Sequence, residues 1–185
     1  MKVSSTDLPE VLIIEPKNYQ DARGNFFEVW VGPKYQALGI GGKFVQDNFS
    51  RSVFGTLRGL HYQEPKGQGK LITILYGRIF DVIVDVRKDS PRFGTWVGIE
   101  LDGQELKQIW IPPGFAHGFC VLSEIAYFHY KCTEEYVPEA ERLIRWDDPE
   151  LSIDWPIKSP VLSGRDASAP MLLDAAILPQ MGRHR

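Results

Sequence analysis

The sequence predicts an all-β chain, a sandwich or barrel of short strands with a few short helices, on three observations. Short apolar runs recur between clusters of Gly, Pro, Asn and Asp, the punctuation of strands and turns. No long stretch keeps a 3.6-residue apolar period, so extended helices are not expected. The runs follow one another at regular spacing, the pattern of sandwiches and barrels.

Taken in order, Val11 to Glu15 reads as a strand closed by Pro16, and Phe26 to Val31 as another closed by Gly32-Pro33. Pro33 to Leu38 reads as a short helix opened by proline. From Lys70 to Arg87 two apolar runs flank Gly77-Arg78 and predict a hairpin. Thr95 to Leu101 stops at Asp102-Gly103, Lys107 to Ile111 stops at Pro112-Pro113-Gly114, and Phe119 to Cys132 forms a further run. Asp147-Asp148-Pro149 predicts a single helical turn. The segment from Ser163 onward is looser, and the polar end Gly182-Arg183-His184-Arg185 is expected to be mobile. The chain is expected to form one domain over residues 1–185, with a peripheral tail from about 174; at 185 residues and 43% hydrophobic composition it can bury a full core without staples.

Twenty-four acidic against 21 basic residues give a net charge of −3, with the basic residues scattered. That balance gives no footprint for nucleic acid or an anionic membrane and is compatible with a small anionic ligand. Met1 to Glu10 carries one lysine and no signal-like apolar run, and no apolar segment is long enough to span a bilayer. The two cysteines, Cys120 and Cys132, lie in strand-like runs without CxxC spacing, so buried reduced thiols and a cytoplasmic location are expected.

Four histidines narrow the chemistry: His61, His117, His129 and His184. Gly55 to His61 resembles the first cupin motif, and Pro112-Pro113-Gly114-Phe115-Ala116-His117 the second, which makes a jelly-roll β-barrel the expected fold. A metal-binding cupin would offer His-x-His and a nearby glutamate; here the second position is Gln63, and the glutamate region reads Gly67-Gln68-Gly69-Lys70. Glutamine ligates poorly and an ammonium has no lone pair, so no metal is expected. A histidine, a lysine, arginines and tyrosines remain, the set for enolising a carbon beside a carbonyl. Imidazole removes the proton, a cation holds the enolate oxygen, and a phenol returns a proton from the other face. Epimerisation is the chemistry that fits. His129 alternates with Tyr130, so if Tyr130 points inward His129 points out.

Six ordered runs carry a more specific resemblance: Phe44 to Asn48, Leu57-Arg58-Gly59-Leu60-His61-Tyr62-Gln63, Gln68 to Leu71, Gly77 to Val82, Trp110 to Phe119, and Leu162-Ser163-Gly164-Arg165-Asp166. Together they resemble the dTDP-4-dehydrorhamnose 3,5-epimerase family from about Val11 to Leu173. The resemblance implies inversion at C3 and C5 of dTDP-4-dehydro-6-deoxy-glucose, giving dTDP-4-dehydro-L-rhamnose for L-rhamnose biosynthesis, without a cofactor. It implies His61 as base, Asp166 as its orienting carboxylate, Lys70 as enolate stabiliser and Tyr130 as acid. Arg23, Glu28, Gln46, Asp47, Asn48, Arg58, Lys70, His117, Glu141 and Arg165 are implied substrate contacts, with Tyr19 and Tyr136 as stacking surfaces for thymine. Arg165 stands where some relatives are expected to carry lysine. A homodimer is implied as well, an N-terminal strand crossing to bring residues of the first thirty into the partner's site. A mono-epimerase acting at C3 or C5 alone would use the same groups. A nucleotide-sugar-binding cupin without turnover is a further alternative, against which the complete set His61, Asp166, Lys70 and Tyr130 argues.

Overall fold

The computed structural model describes residues 1–40 and 42–182. A six-stranded sheet has the order β1 (Lys2–Ser5), β2 (Leu12–Glu15), β10 (Gln108–Ile111), β7 (Lys70–Tyr76), β12 (Ile125–Cys132), β5 (Gln46–Val53). A five-stranded sheet has the order β13 (Glu141–Leu143), β6 (Leu57–Gln63), β11 (Phe115–Val121), β8 (Arg78–Asp85), β9 (Trp96–Asp102). Every pairing within them is antiparallel. A separate hairpin, β3 (Asn18–Asp21) with β4 (Gly24–Phe27), pairs only with itself. The all-β jelly roll is present as two open sheets packed face to face.

Strand alternation builds the layers. Ile72 and Ile74 of β7 and Phe128 of β12 meet Ile79 and Ile83 of β8 and Phe115 and Phe119 of β11 in the central core. The opposite residues of β8 and β11, among them Val82, Val84, Ala116 and Cys120, pack under Ile144, Leu151, Trp155 and Leu172 on the outer side of the five-stranded sheet. Across the molecule, Leu71 and Trp110 face Tyr35 and Ile40 around α1 (Gly32–Gln36). Because β8 and all but the end of β7 are covered on both faces, their runs are apolar at nearly every position.

That double burial explains a correction. The segment Lys70 to Arg87 is not a hairpin: β7 lies between β10 and β12, and β8 between β11 and β9. A strand apolar on both sides is a central strand, and Gly77, at φ 81, passes the chain from one sheet to the other. Phe119 to Cys132 likewise divides into β11 and β12. Asp147-Asp148-Pro149 makes no helix; Asp148 is buried and accepts hydrogen bonds from the backbone of Glu150 (2.9 Å) and Leu172 (2.6 Å). The tail returns to the body, where Ile177 O accepts from the Tyr62 hydroxyl (2.6 Å) and Pro179 O from the Lys88 amide (3.0 Å). Arg183 to Arg185, with His184, lie outside the described residues. Both thiols are free and buried, and no helix among the described residues is long and apolar enough to cross a membrane.

Candidate active site

The two sheets leave a cavity of about 360 Å³. The five-stranded sheet lines it with Arg58, His61, His117 and Phe119, the six-stranded sheet with Asn48, Lys70, Phe128 and Tyr130, and α2 (Gly164–Ala167) closes it with Asp166 beneath Ser163. A smaller lobe of about 100 Å³ shares His61, Lys70 and Tyr130 and adds Gln63, Gln68, Tyr136 and Glu141. His61 and Lys70 therefore face one cleft from opposite sheets, as do His61 and Tyr130.

Local backbone geometry brings the histidines into place. Gly59 has φ 126, and a Cβ there would meet Gly118 Cα at 2.5 Å, so β6 and β11 approach as glycine alone allows. The register shift between His117 and Phe119 puts Arg58 on the same side as His61 and leaves His61 and His117 paired across the strands. On β7, Lys70 alternates inward with Ile72 and Ile74; on β12, Tyr130 does so with Phe128.

His61 Nε2 lies 2.6 Å from Asp166 Oδ1. Ser163, the N-cap of α2, accepts from the Asp166 amide (3.1 Å) and donates its hydroxyl to Asp166 Oδ2 (2.8 Å). Burial works against the Asp166 charge, but the bonds from His61, Ser163 and the Gly59 backbone outweigh it and hold its carboxyl below the ordinary range. An ionised Asp166 accepts the Nε2 proton of His61 and leaves Nδ1 with its lone pair.

A second pair lies alongside. His117 Nε2 lies 2.8 Å from Oδ2 of Asp81, which is wholly buried and whose Oδ1 has no hydrogen-bond partner among the described residues. Burial pushes His117 below the usual imidazole range, opposed by Asp81 and reinforced by Lys70 and His61. Burial also lowers Lys70, against the pull of Cys132, Glu141 and Asp81, and pushes the Tyr130 phenol up to about 12. Tyr130 is thus a proton donor at neutral pH.

At the rim, Glu141 accepts from Arg165 and from the Tyr136 hydroxyl (3.0 Å). Gln46 donates to Asn48 (2.9 Å) and accepts from the Tyr136 amide (2.8 Å).

Not every expected residue joins the site. Asp47 lies apart from this cleft: alternation along β5 sends Gln46 and Asn48 inward and Asp47 to the outer face, where Lys131 donates to it at 2.6 Å. His129 shares that outer face, 4.0 Å from Asp47, as its alternation with Tyr130 predicts. Tyr19, Arg23 and Glu28 line a separate cleft of about 610 Å³ on the β3–β4 hairpin, Arg23 bonded to Asp21 and Glu28 to Lys34. Ser163 and Asp81 were missed by sequence reasoning. Asp81 did leave a signal, an acid inside the apolar run Ile79 to Val84 that needs a buried partner. Among the described residues no group of three or more His, Cys, Asp and Glu side chains could hold a metal ion.

The family model described as dTDP-4-dehydrorhamnose 3,5-epimerase matches residues 5–174. The chain belongs to this family. It is 49% identical over 177 residues to the dTDP-4-dehydrorhamnose 3,5-epimerase of Shigella flexneri, covering 95% of this chain and 98% of that one. The enzyme of the same name from Pseudomonas aeruginosa is 49% identical over 181 residues, 97% of this chain and all of the relative. Among solved structures, the dTDP-6-deoxy-D-glucose-3,5-epimerase of Legionella pneumophila in complex with dTDP-4-keto-L-rhamnose superposes with a TM-score of 0.93. It is 52% identical, with 97% of each chain covered.

Proposed function

We propose that the chain inverts C3 and C5 of dTDP-4-dehydro-6-deoxy-glucose, giving dTDP-4-dehydro-L-rhamnose for L-rhamnose biosynthesis. One observation carries the reading: His61 and Tyr130 reach a single cleft from opposite sheets, with Lys70 lining both of its lobes. His61 takes the proton from a carbon alpha to the C4 ketone, and the C–H electron pair moves into the enolate. The Asp166 carboxylate orients the imidazole and offsets the charge it gains. Lys70 stabilises the enolate oxygen, where the negative charge of the transition state collects. The enolate then collapses with its carbon taking a proton from Tyr130 on the other face, which inverts the centre. His117, with Asp81 behind it, binds beside Lys70 as a neutral donor or acceptor. Arg58, Arg165, Gln46, Asn48 and Glu141 supply the charge and amide groups that a nucleoside diphosphate sugar calls for, and Tyr136 an aromatic face for the base. No step calls for a cofactor.

Proton NMR in deuterium oxide with dTDP-4-dehydro-6-deoxy-glucose tests the reading. Deuterium entering C3 and C5 with an inverted product is expected; entry at one carbon assigns a mono-epimerase, and none at either carbon overturns both.

The chain is proposed to work as one unit, in the cytoplasm, where two free thiols persist, and as a homodimer. The β3–β4 hairpin leaves Phe26 66% exposed, and the outer face of the six-stranded sheet exposes Phe49, Val53, Leu75 and Tyr76 around Tyr127. Contiguous apolar exposure of this kind marks an interface, and a second copy covering it would carry Tyr19, Arg23 and Glu28 toward its neighbour's cleft. Light scattering should return twice the 21.1 kDa chain mass; a monomer at working concentration removes this part of the proposal.

A further inference from the structure

Gln63 occupies the position where a metal-binding cupin would place its second histidine, and the epimerase chemistry above makes no use of it. It is only 5% exposed, yet both amide hydrogens and the carbonyl oxygen are engaged. Nε2 donates to Lys66 O (2.6 Å) and Glu135 O (3.2 Å), and Oε1 accepts from the Val137 amide (2.9 Å).

These bonds fall on an irregular segment. Residues 133–137 join β12 to the short turn before β13 without ladder partners of their own, so their backbone groups must be satisfied otherwise. Thr133 exchanges two bonds with Gly69, at 2.8 and 3.0 Å. Glutamine side chains take four more: Gln68 donates to Glu134 O (2.8 Å), Gln46 accepts from the Tyr136 amide (2.8 Å), and Gln63 holds the groups on either side, Glu135 O and Val137 N. Gln63 also holds the loop leading into Lys70, through Lys66 O, and Gln68 lies in that same loop. The segment carries Tyr136, which is 44% exposed at the rim and bonded to Glu141.

We infer that Gln63 is a positioning residue that fixes the Tyr136 rim of the cleft from beneath, so that its amide governs affinity for the nucleotide half of the substrate rather than proton transfer. The inference rests on the epimerase reading. A carboxylate of the same length at 63 still accepts from Val137 but turns its second oxygen onto two carbonyl oxygens, undoing the hold without changing shape.

The test is Gln63→Glu, alone and combined with Tyr136→Ala, with steady-state kinetics and calorimetry using dTDP as probe. Gln63→Glu is expected to raise KM and the dTDP Kd roughly tenfold while kcat stays within about threefold. In the Tyr136→Ala background the same substitution should add little, since coupled residues are non-additive. A fall in kcat at unchanged KM, or an undiminished effect of Gln63→Glu in the absence of Tyr136, overturns the inference. Should Gln63→Glu not fold, Gln63→Met, of similar length without the amide, is read by the same criteria. A wild-type protein that binds dTDP but exchanges no deuterium would overturn the epimerase reading instead, and calorimetry would still decide the role of Gln63.

Discussion

The cleft holds two histidine–aspartate pairs, side by side across β6 and β11, and their surroundings give them different capacities. The His61 side chain is 31% exposed, and both oxygens of its partner Asp166 are hydrogen-bonded. The His117 side chain is 9% exposed, and Asp81 behind it is sealed in with one oxygen unpartnered among the described residues. One imidazole has an ionised, well-held carboxylate and room to gain a proton. The other is kept neutral by burial. On the proposed reading the same two side chains serve as a base in one place and an uncharged binding group in the other, the environment assigning the role.

The sharpest way to break this contrast is to remove each imidazole in turn. His61→Asn should cost about 10²–10⁴-fold in kcat, the range for a general base. His117→Gln, which keeps a donor and an acceptor at the site, should cost about tenfold or less, the scale of one hydrogen bond. Deuterium exchange at C3 and C5 under single-turnover conditions reads both. Equal losses would erase the distinction, and a larger loss at 117 would reverse it.

A smaller effect is expected in stability. His117 is lowered from 6.5 in the folded chain, so below that pH the unfolded chain binds the extra proton and the folded one resists it. Stability is therefore complete above about pH 6.5 and declines as pH falls below it, by up to about 1.4 kcal/mol per pH unit for one such group. His129, lowered mainly by burial with Asp47 and Lys131 beside it, acts in the same window. Asp166, held below 3.8, matters only at more acid pH. Thermal unfolding between pH 5 and 7.5 should show a shallower pH slope in His117→Gln than in the wild type, even with Asp81, Lys70 and His61 still facing that position. An unchanged slope would mean that burial of His117 carries no proton linkage.

Much of the site was legible before any fold was known, because its chemistry is local to short runs. Arg58 and His61, Lys70, Tyr130 and Asp166 stand in motifs whose residue types already state acid, base and cation. Alternation predicted that Tyr130 and His129 would part. The same rule applied to Gln46-Asp47-Asn48 would have sent Asp47 outward, yet the resemblance treated the three as a block. Ser163 gave no such warning, since a serine before a turn reads as a cap, and only the fold shows its hydroxyl also on Asp166.

The β7–β8 hairpin that the sequence predicts and the fold does not make marks the boundary between the two kinds of information. Residue pattern alone determined an all-β chain of short strands, and the resemblance of short motifs nominated the acid, base and lysine, because the first depends on periodicity and the second on side-chain chemistry local to each run. Tertiary structure decided that Lys70 to Tyr76 and Arg78 to Asp85 belong to different sheets, that His61 and Tyr130 oppose each other, and that His117 stays neutral. Pairing partners, opposition across a cleft and desolvation are properties of segments distant in sequence, and they arise only when the two sheets close on each other.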